Sequence, residues 1–123
     1  MNFKILVVED NTDSRILLHF CLTAKHLHVI TASNGVEGIY LAKAEKPDLI
    51  ITDCDMPDGD GCELISKVRE TPAIANAHIV VYTAFGLKTA HKAIEAGANQ
   101  AFYKPRDFTN LLQYVLDYLG VLE

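Results

Sequence analysis

The sequence predicts a doubly wound α/β domain, a five-stranded parallel sheet covered on both faces by five helices. Three observations predict it. Short runs rich in β-branched residues recur along the chain, segments of helical spacing separate them, and the runs are continuously apolar rather than alternating. A strand that is apolar throughout is buried on both faces, and that requires helices on both sides of a parallel sheet.

The elements follow in order. Residues 5–8 (Ile-Leu-Val-Val) form the first strand and stop at Glu9 and Asp10. Asn11 or Thr12 can cap the next helix, whose apolar stripe is Ile16, Leu17, Phe20, Cys21 and Ala24. Residues 28–32 form the second strand, and Val36, Ile39 and Tyr40 with Lys43 and Ala44 form a shorter helical stripe. Residues 49–52 form the third strand, which ends at Asp53; Leu64, Ile65 and Val68 mark the third helix. Residues 79–83 form the fourth strand, and Ala90, Ala93 and Ile94 mark a helix that Gly97 stops after Ala96. A weaker run at 101–103 is the fifth strand, ending at Lys104. Leu112, Val115, Leu116 and Leu119 make the last helix, at spacing i, i+3, i+4, i+7. Periodicity leaves strand order open. The common orders all place ligands at the carboxyl ends of strands, beside a topological switch point.

With 123 residues and no linker, repeat or low-complexity tract, the expectation is one domain, 1–123. Half of the residues are hydrophobic, enough for a core without staples. A formal net charge of -5 argues against direct nucleic-acid binding. The apolar run at 5–8 is too short for a signal peptide or a membrane span. Cys21, Cys54 and Cys62 are odd in number and lack CxxC spacing, which fits a reducing compartment; the cytoplasm is the expected address.

Function is read at the strand ends. Glu9-Asp10 follows the first strand, Asp53 the third, Thr83 closes the fourth and Lys104 follows the fifth. Singly, each has a bland reading: acids favour a helix start, Asp, Pro and Gly make turns, and Thr83 and Lys104 are ordinary strand and surface residues. Jointly they gather three carboxylates, a hydroxyl and an ammonium at one sheet edge. Two carboxylates ~4 Å apart repel by roughly 4 kcal/mol at an effective dielectric near 20. Such a group must spread apart, protonate or recruit cations. A hard divalent ion with positions left for water and phosphate oxygens suits it, and Mg²⁺ is that ion.

These segments resemble response-regulator receiver domains of two-component systems. The resemblance is carried by Ile5-Leu6-Val7-Val8-Glu9-Asp10-Asn11, by Asp53-Cys54-Asp55-Met56-Pro57-Asp58-Gly59-Asp60-Gly61, by Tyr82-Thr83-Ala84, and by Gly97-Ala98 with Lys104-Pro105. It spans Lys4 to Leu119. It implies the flavodoxin-like order 2-1-3-4-5 and a phosphoacceptor, Asp53, which takes a phosphoryl group from a phosphohistidine of a histidine kinase or phosphotransfer protein. It implies Mg²⁺ (with Mn²⁺ as an alternative ion) held by Glu9, Asp10, Asp53 and the backbone carbonyl of Asp55. Lys104 neutralises phosphoryl oxygens, Thr83 donates a hydrogen bond to one, and the Lys104-Pro105 bond is commonly cis in the family. The implied role is a signalling domain that modifies only itself, acting on a downstream protein or effector domain, rather than an enzyme.

The chain departs from the family at three positions. Ala101 replaces the usual switch aromatic, Gly59 the second methionine after Met-Pro, and Arg106 the aromatic after Lys-Pro. Tyr103 shares a strand face with Ala101 and is a candidate substitute, whereas Phe102 and Lys104 point the other way. Asp55 and Phe85 flank the expected path of attacking water, one orienting it and the other excluding it. Two rivals compete with the receiver reading. Asp53-Cys54-Asp55 also fits the DxD of a haloacid-dehalogenase-like phosphohydrolase, but that motif normally follows the first strand. A flavin-binding domain shares the fold class, but Glu9-Asp10-Asn11 would repel phosphate. The five histidines lack the spacing of a metal site.

Overall fold

The computed structural model describes residues 3–54, 61–84 and 86–121; Asp55, Gly59 and Phe85 lie outside the described residues. Ten elements alternate strictly: β1 (Lys4–Val8), α1 (Thr12–Thr23), β2 (His28–Ala32), α2 (Gly35–Glu45), β3 (Leu49–Thr52), α3 (Gly61–Glu70), β4 (His78–Thr83), α4 (Leu87–Ala96), β5 (Gln100–Tyr103) and α5 (Phe108–Leu119). All pairings are parallel and the order is β2-β1-β3-β4-β5, as the resemblance implied.

Alternation along the strands divides the core in two. Leu6, Val8, Ile50, Ile79 and Val81 pack with Ala42, Leu64, Ile65, Val68 and Ala93 on the side of α2, α3 and α4. Ile5, Val7, Leu49, Ile51, Val80 and Tyr82 pack with Leu18 and Leu22 of α1 and with Leu111, Val115, Leu116 and Leu119 of α5. Ala101 belongs to the first side and Phe102 to the second, so the expected facing of β5 holds.

Two expected helix faces are corrected. In α1 the sheet side is Leu18 and Leu22, while Ile16, Leu17 and Phe20 are 60%, 47% and 70% exposed. Apolar residues line both flanks of this helix, so spacing alone could not choose between them. In α2 the buried face is Gly35, Gly38 and Ala42, and Val36 and Tyr40 point outward. Small residues let the helix lie close on β1: a Cβ at Gly38 would sit 3.0 and 3.2 Å from the two methyl carbons of Val8. In α4, Ala90 and Ala93 are buried as expected but Ile94 is exposed.

Helix ends follow local chemistry. The Asn11 side chain accepts from the Ser14 N–H at 2.8 Å, and the Asn34 side chain from the Glu37 N–H at 2.8 Å. Gly97, at φ 124°, ends α4 where expected. Because β2 and β3 flank β1 on opposite sides, the winding reverses there, and a crevice opens beyond the carboxyl ends of β1 and β3.

Candidate functional site

Glu9 and Asp53 are fastened to the sheet just past their strands. The Glu9 N–H donates to the Ala32 carbonyl (3.0 Å) and the Asp53 N–H to the Val8 carbonyl (3.1 Å). Both side chains are buried, Glu9 at 2% and Asp53 at 6% exposure, whereas Asp10 is exposed at the crevice mouth. Carboxylate oxygens of Glu9, Asp10 and Asp53 all lie within 4.8 Å of one another, the only such cluster of metal-ligating side chains among the described residues. An all-oxygen, three-carboxylate donor set fits a hard divalent cation.

Lys104 reaches in from the end of β5. Its ammonium donates to Asp53 Oδ2 at 2.9 Å and to Glu9 Oε1, and stands 5.7 Å from the centre of the buried Tyr82 ring. The Lys104 N–H bonds the Thr83 carbonyl at 2.8 Å, and the Lys104-Pro105 peptide is cis, as the resemblance implied. Thr83 is fully buried at the end of β4, in register with Tyr103. Four expected residues, Glu9, Asp10, Asp53 and Lys104, thus meet in one place, with Thr83 at the adjoining strand end. Asp55 falls outside the described residues.

Among the described residues, the three carboxylates have the Lys104 ammonium as their one side-chain cation, while the Arg15 guanidinium is engaged by the backbone carbonyl of Glu9. Burial pushes the Glu9 carboxyl above its ordinary value, against the Lys104 bond and the Asn11 N–H that oppose the rise. Burial would push the Lys104 ammonium down, but its bonds to Glu9 and Asp53 and their charges outweigh it, and the net shift is upward. The lysine is therefore held charged and the excess of acid remains, a state that a bound cation relieves.

Sequence reasoning missed two supporting residues, Arg15 and Thr52, and the structural reason for a third, Gly61. The Arg15 guanidinium donates to the Glu9 carbonyl at 2.8 Å and bridges α1 to the acidic turn. The Thr52 hydroxyl donates to the Asp53 carbonyl at 2.9 Å. At Gly61 a Cβ would lie 1.9 Å from that same carbonyl, so only glycine lets α3 start against the acceptor's backbone. The sequence placed Gly61 at the close of the acceptor segment, by resemblance or as a turn former, without this steric reason.

The family model for the response regulator receiver domain matches residues 5–116. The chain is a receiver domain of the response-regulator family. It is 32% identical over 120 residues to sporulation initiation phosphotransferase F of Bacillus subtilis, covering 97% of this chain and 95% of that one. Among solved structures, the receiver resembles the chemotaxis response regulator CheY4 of Vibrio cholerae (TM-score 0.85, 27% identity, covering 94% of this chain and all of that one). It also resembles a chain of the CheX-CheY-BeF3-Mg complex of Borrelia burgdorferi (TM-score 0.85, 26% identity, covering 95% and 89%). Receivers are signalling domains of two-component systems, and the haloacid-dehalogenase reading finds no support. Among the described residues no helix is long and apolar enough to cross a membrane.

Proposed function

We propose that Asp53 is the phosphoacceptor and that residues 1–123 act as one receiver, in the cytoplasm, modifying only itself. The observation that supports this most is the placing of Asp53, buried at the switch-point crevice between Glu9, Asp10 and the Lys104 ammonium. A carboxylate oxygen of Asp53 attacks the phosphorus of a phosphohistidine on the partner kinase or phosphotransfer protein, a P–O bond forms as the P–N bond breaks, and the histidine is left on the partner as a neutral imidazole once protonated. Lys104 moves with the charge, its contact to Asp53 giving way to the incoming phosphoryl oxygens. Thr83 donates to another of those oxygens. Phosphoryl transfer needs this positioning and neutralisation more than covalent help.

Mg²⁺, or Mn²⁺ in its place, would be held by Asp10 directly, by Glu9 partly through water, by Asp53, and by the Asp55 carbonyl. When bound it supplies the positive charge that the cluster lacks. The exposed Ile16, Leu17 and Phe20 lie on α1, whose first turn carries Arg15 onto the site, and suit an apolar partner surface beside Asp53. The downstream target is a separate protein or an effector domain, with no direct nucleic-acid binding by these residues.

Incubation with acetyl phosphate and Mg²⁺, followed by intact-mass measurement, should add one phosphoryl group per chain, and Asp53→Asn should abolish most of it. Equal labelling of the variant would remove Asp53 from the role. Repeated turnover of a phosphate ester would instead indicate a hydrolase.

A further inference from the structure

The residue directly after the acceptor is a thiol with a second thiol beside it. Cys54 is 3% exposed and belongs to the core under α3. Cys62, in the first turn of α3, is half-buried, and its Sγ lies 3.5 Å from Cys54 Sγ. Both are thiols in this structure, as is the distant Cys21. We propose that Cys54 and Cys62 are a reversible oxidation site whose disulfide slows phosphorylation of Asp53. The effect on labelling rests on Asp53 being the acceptor; the disulfide itself does not.

The chemistry needs one two-electron oxidant, and hydrogen peroxide is the class proposed. The more accessible Cys62 sulfur attacks a peroxide oxygen, the O–O bond breaks, and the departing hydroxide leaves as water with the thiol proton. Cys62 is then a sulfenic acid. The Cys54 sulfur attacks that sulfur, an S–S bond forms as the S–O bond breaks, and hydroxide leaves as a second water with the Cys54 proton. Two thiols have lost two electrons to one peroxide. A thiol exchanging with the disulfide reverses the change. Disulfides in reducing compartments are mostly of this transient, sensing kind.

Coupling to the acceptor follows from how tightly the two segments meet. A disulfide closes the sulfur separation to about 2.05 Å, through turning of the two side chains and movement of the segments that carry them. Little slack exists to absorb that movement. The Gly61 N–H already bonds the Cys54 carbonyl at 3.0 Å, and Gly61 is seated so closely that a Cβ would come within 1.9 Å of the Asp53 carbonyl oxygen and 2.8 Å of Cys54 Cα. Movement is passed to Asp53, one bond away, whose carboxylate is held at 2.9 Å from Lys104. Misplacing a reacting group by about 1 Å can cost about 100-fold in rate.

The full chain is treated with hydrogen peroxide and blocked with N-ethylmaleimide, and one portion is digested for peptide mapping. A second portion, kept intact, is labelled with acetyl phosphate and Mg²⁺, in parallel with the reduced chain and with Cys62→Ser and Cys21→Ser. The expected result is a Cys54–Cys62 cross-linked peptide lighter by two hydrogens, with labelling slowed about 10-fold or more and restored by dithiothreitol. Cys21→Ser should respond like the wild type, and Cys62→Ser should label at the same rate before and after peroxide. Absence of the cross-link under excess peroxide overturns the proposal, as does a cross-linked protein that labels at the reduced rate, or a Cys62→Ser chain slowed as much as wild type. Failure of the reduced chain to label would instead count against Asp53 as acceptor, while the cross-linked peptide still decides the thiol pair.

Discussion

At the carboxyl edge of the sheet, three carboxylates cluster and two of them hold one ammonium; at the opposite edge, one guanidinium converges on four uncharged oxygens. The second group is centred on Arg69, near the end of α3. Its Nε donates to the Gly97 carbonyl (3.0 Å), its Nη1 to the carbonyls of Ala75 (2.8 Å) and Ala77 (2.6 Å), and its Nη2 to Asn99 Oδ1 (2.9 Å). Asn99 Oδ1 also accepts the Ile79 N–H at 2.9 Å. One side chain thereby ties the end of α3 to the starts of β4 and β5. A Cβ at Gly97 would stand 2.7 Å from Arg69 Cγ, so the glycine that ends α4 also makes room for the clamp. The clamp is complete in itself, whereas the acidic cluster gathers three carboxylates around a single lysine. A polar network satisfied within the protein rigidifies a fold, and a cluster of like charges favours binding of an opposite charge.

The sharpest way to break this comparison is to delete the clamp. Arg69→Ala takes the donor from three backbone carbonyls and leaves Asn99 Oδ1 with the Ile79 N–H alone, and charged hydrogen bonds contribute more than neutral ones. A loss of about 2–4 kcal/mol in urea unfolding is expected, with acetyl-phosphate labelling per folded molecule unchanged. If labelling fell while the chain stayed folded, the two edges would be coupled and the division of roles would be wrong.

The acidic cluster should respond with the opposite sign. Asp10→Asn removes one repelling charge and should stabilise the metal-free chain by about 1 kcal/mol. The same variant should lose most of the rise in melting temperature that Mg²⁺ gives the wild type by mass action. A thermal scan with and without Mg²⁺ measures both. If Asp10→Asn is less stable and keeps the Mg²⁺ response, the acidic pair serves the start of α1 and not a metal.

The sequence showed these two edges unequally. The strand ends were legible because continuous apolar runs locate a parallel strand, and polar residues directly after several such runs must share an edge. Glu9, Asp10, Asp53 and Lys104 were found that way. Arg69 was not, because a single arginine near the end of a helix looks like any solvated charge, and its partners are backbone carbonyls, which no side-chain pattern advertises. The same limit explains α2, where glycines rather than large apolar residues face the sheet. In α1 the pattern was present but two-sided, and only the packing of Leu18 and Leu22 against Ile5 and Val7 selects the inner flank. Ala101 and Phe102 fell on the expected faces because a period of two admits no such ambiguity.

Acid titration offers the finest comparison of the edges, and its effect is the smallest. His78 opens β4 near the clamp, with its Nε2 2.8 Å from the Tyr114 hydroxyl and its ring stacked 3.8 Å from that of Tyr118. Burial, and then the Arg69 charge, hold the imidazole below its ordinary value of 6.5. A depressed histidine is neutral in the folded chain at a pH where the unfolded chain takes up a proton. Its contribution to stability is therefore present above 6.5 and lost as pH falls through the lower folded value. Glu9 behaves in the opposite sense, because its folded value is raised above 4.5. Its buried charge weakens the fold at neutral pH, and stability returns as pH falls through that raised value toward 4.5. Melting temperatures between the two ordinary values should consequently separate the variants. His78→Gln should lose less stability than wild type on acidification, and Glu9→Gln should lose more, because it no longer gains from protonating the buried acid. Parallel curves for all three proteins would show that neither edge senses protons in this range, and the contrast between them would then rest on metal and hydrogen bonding alone.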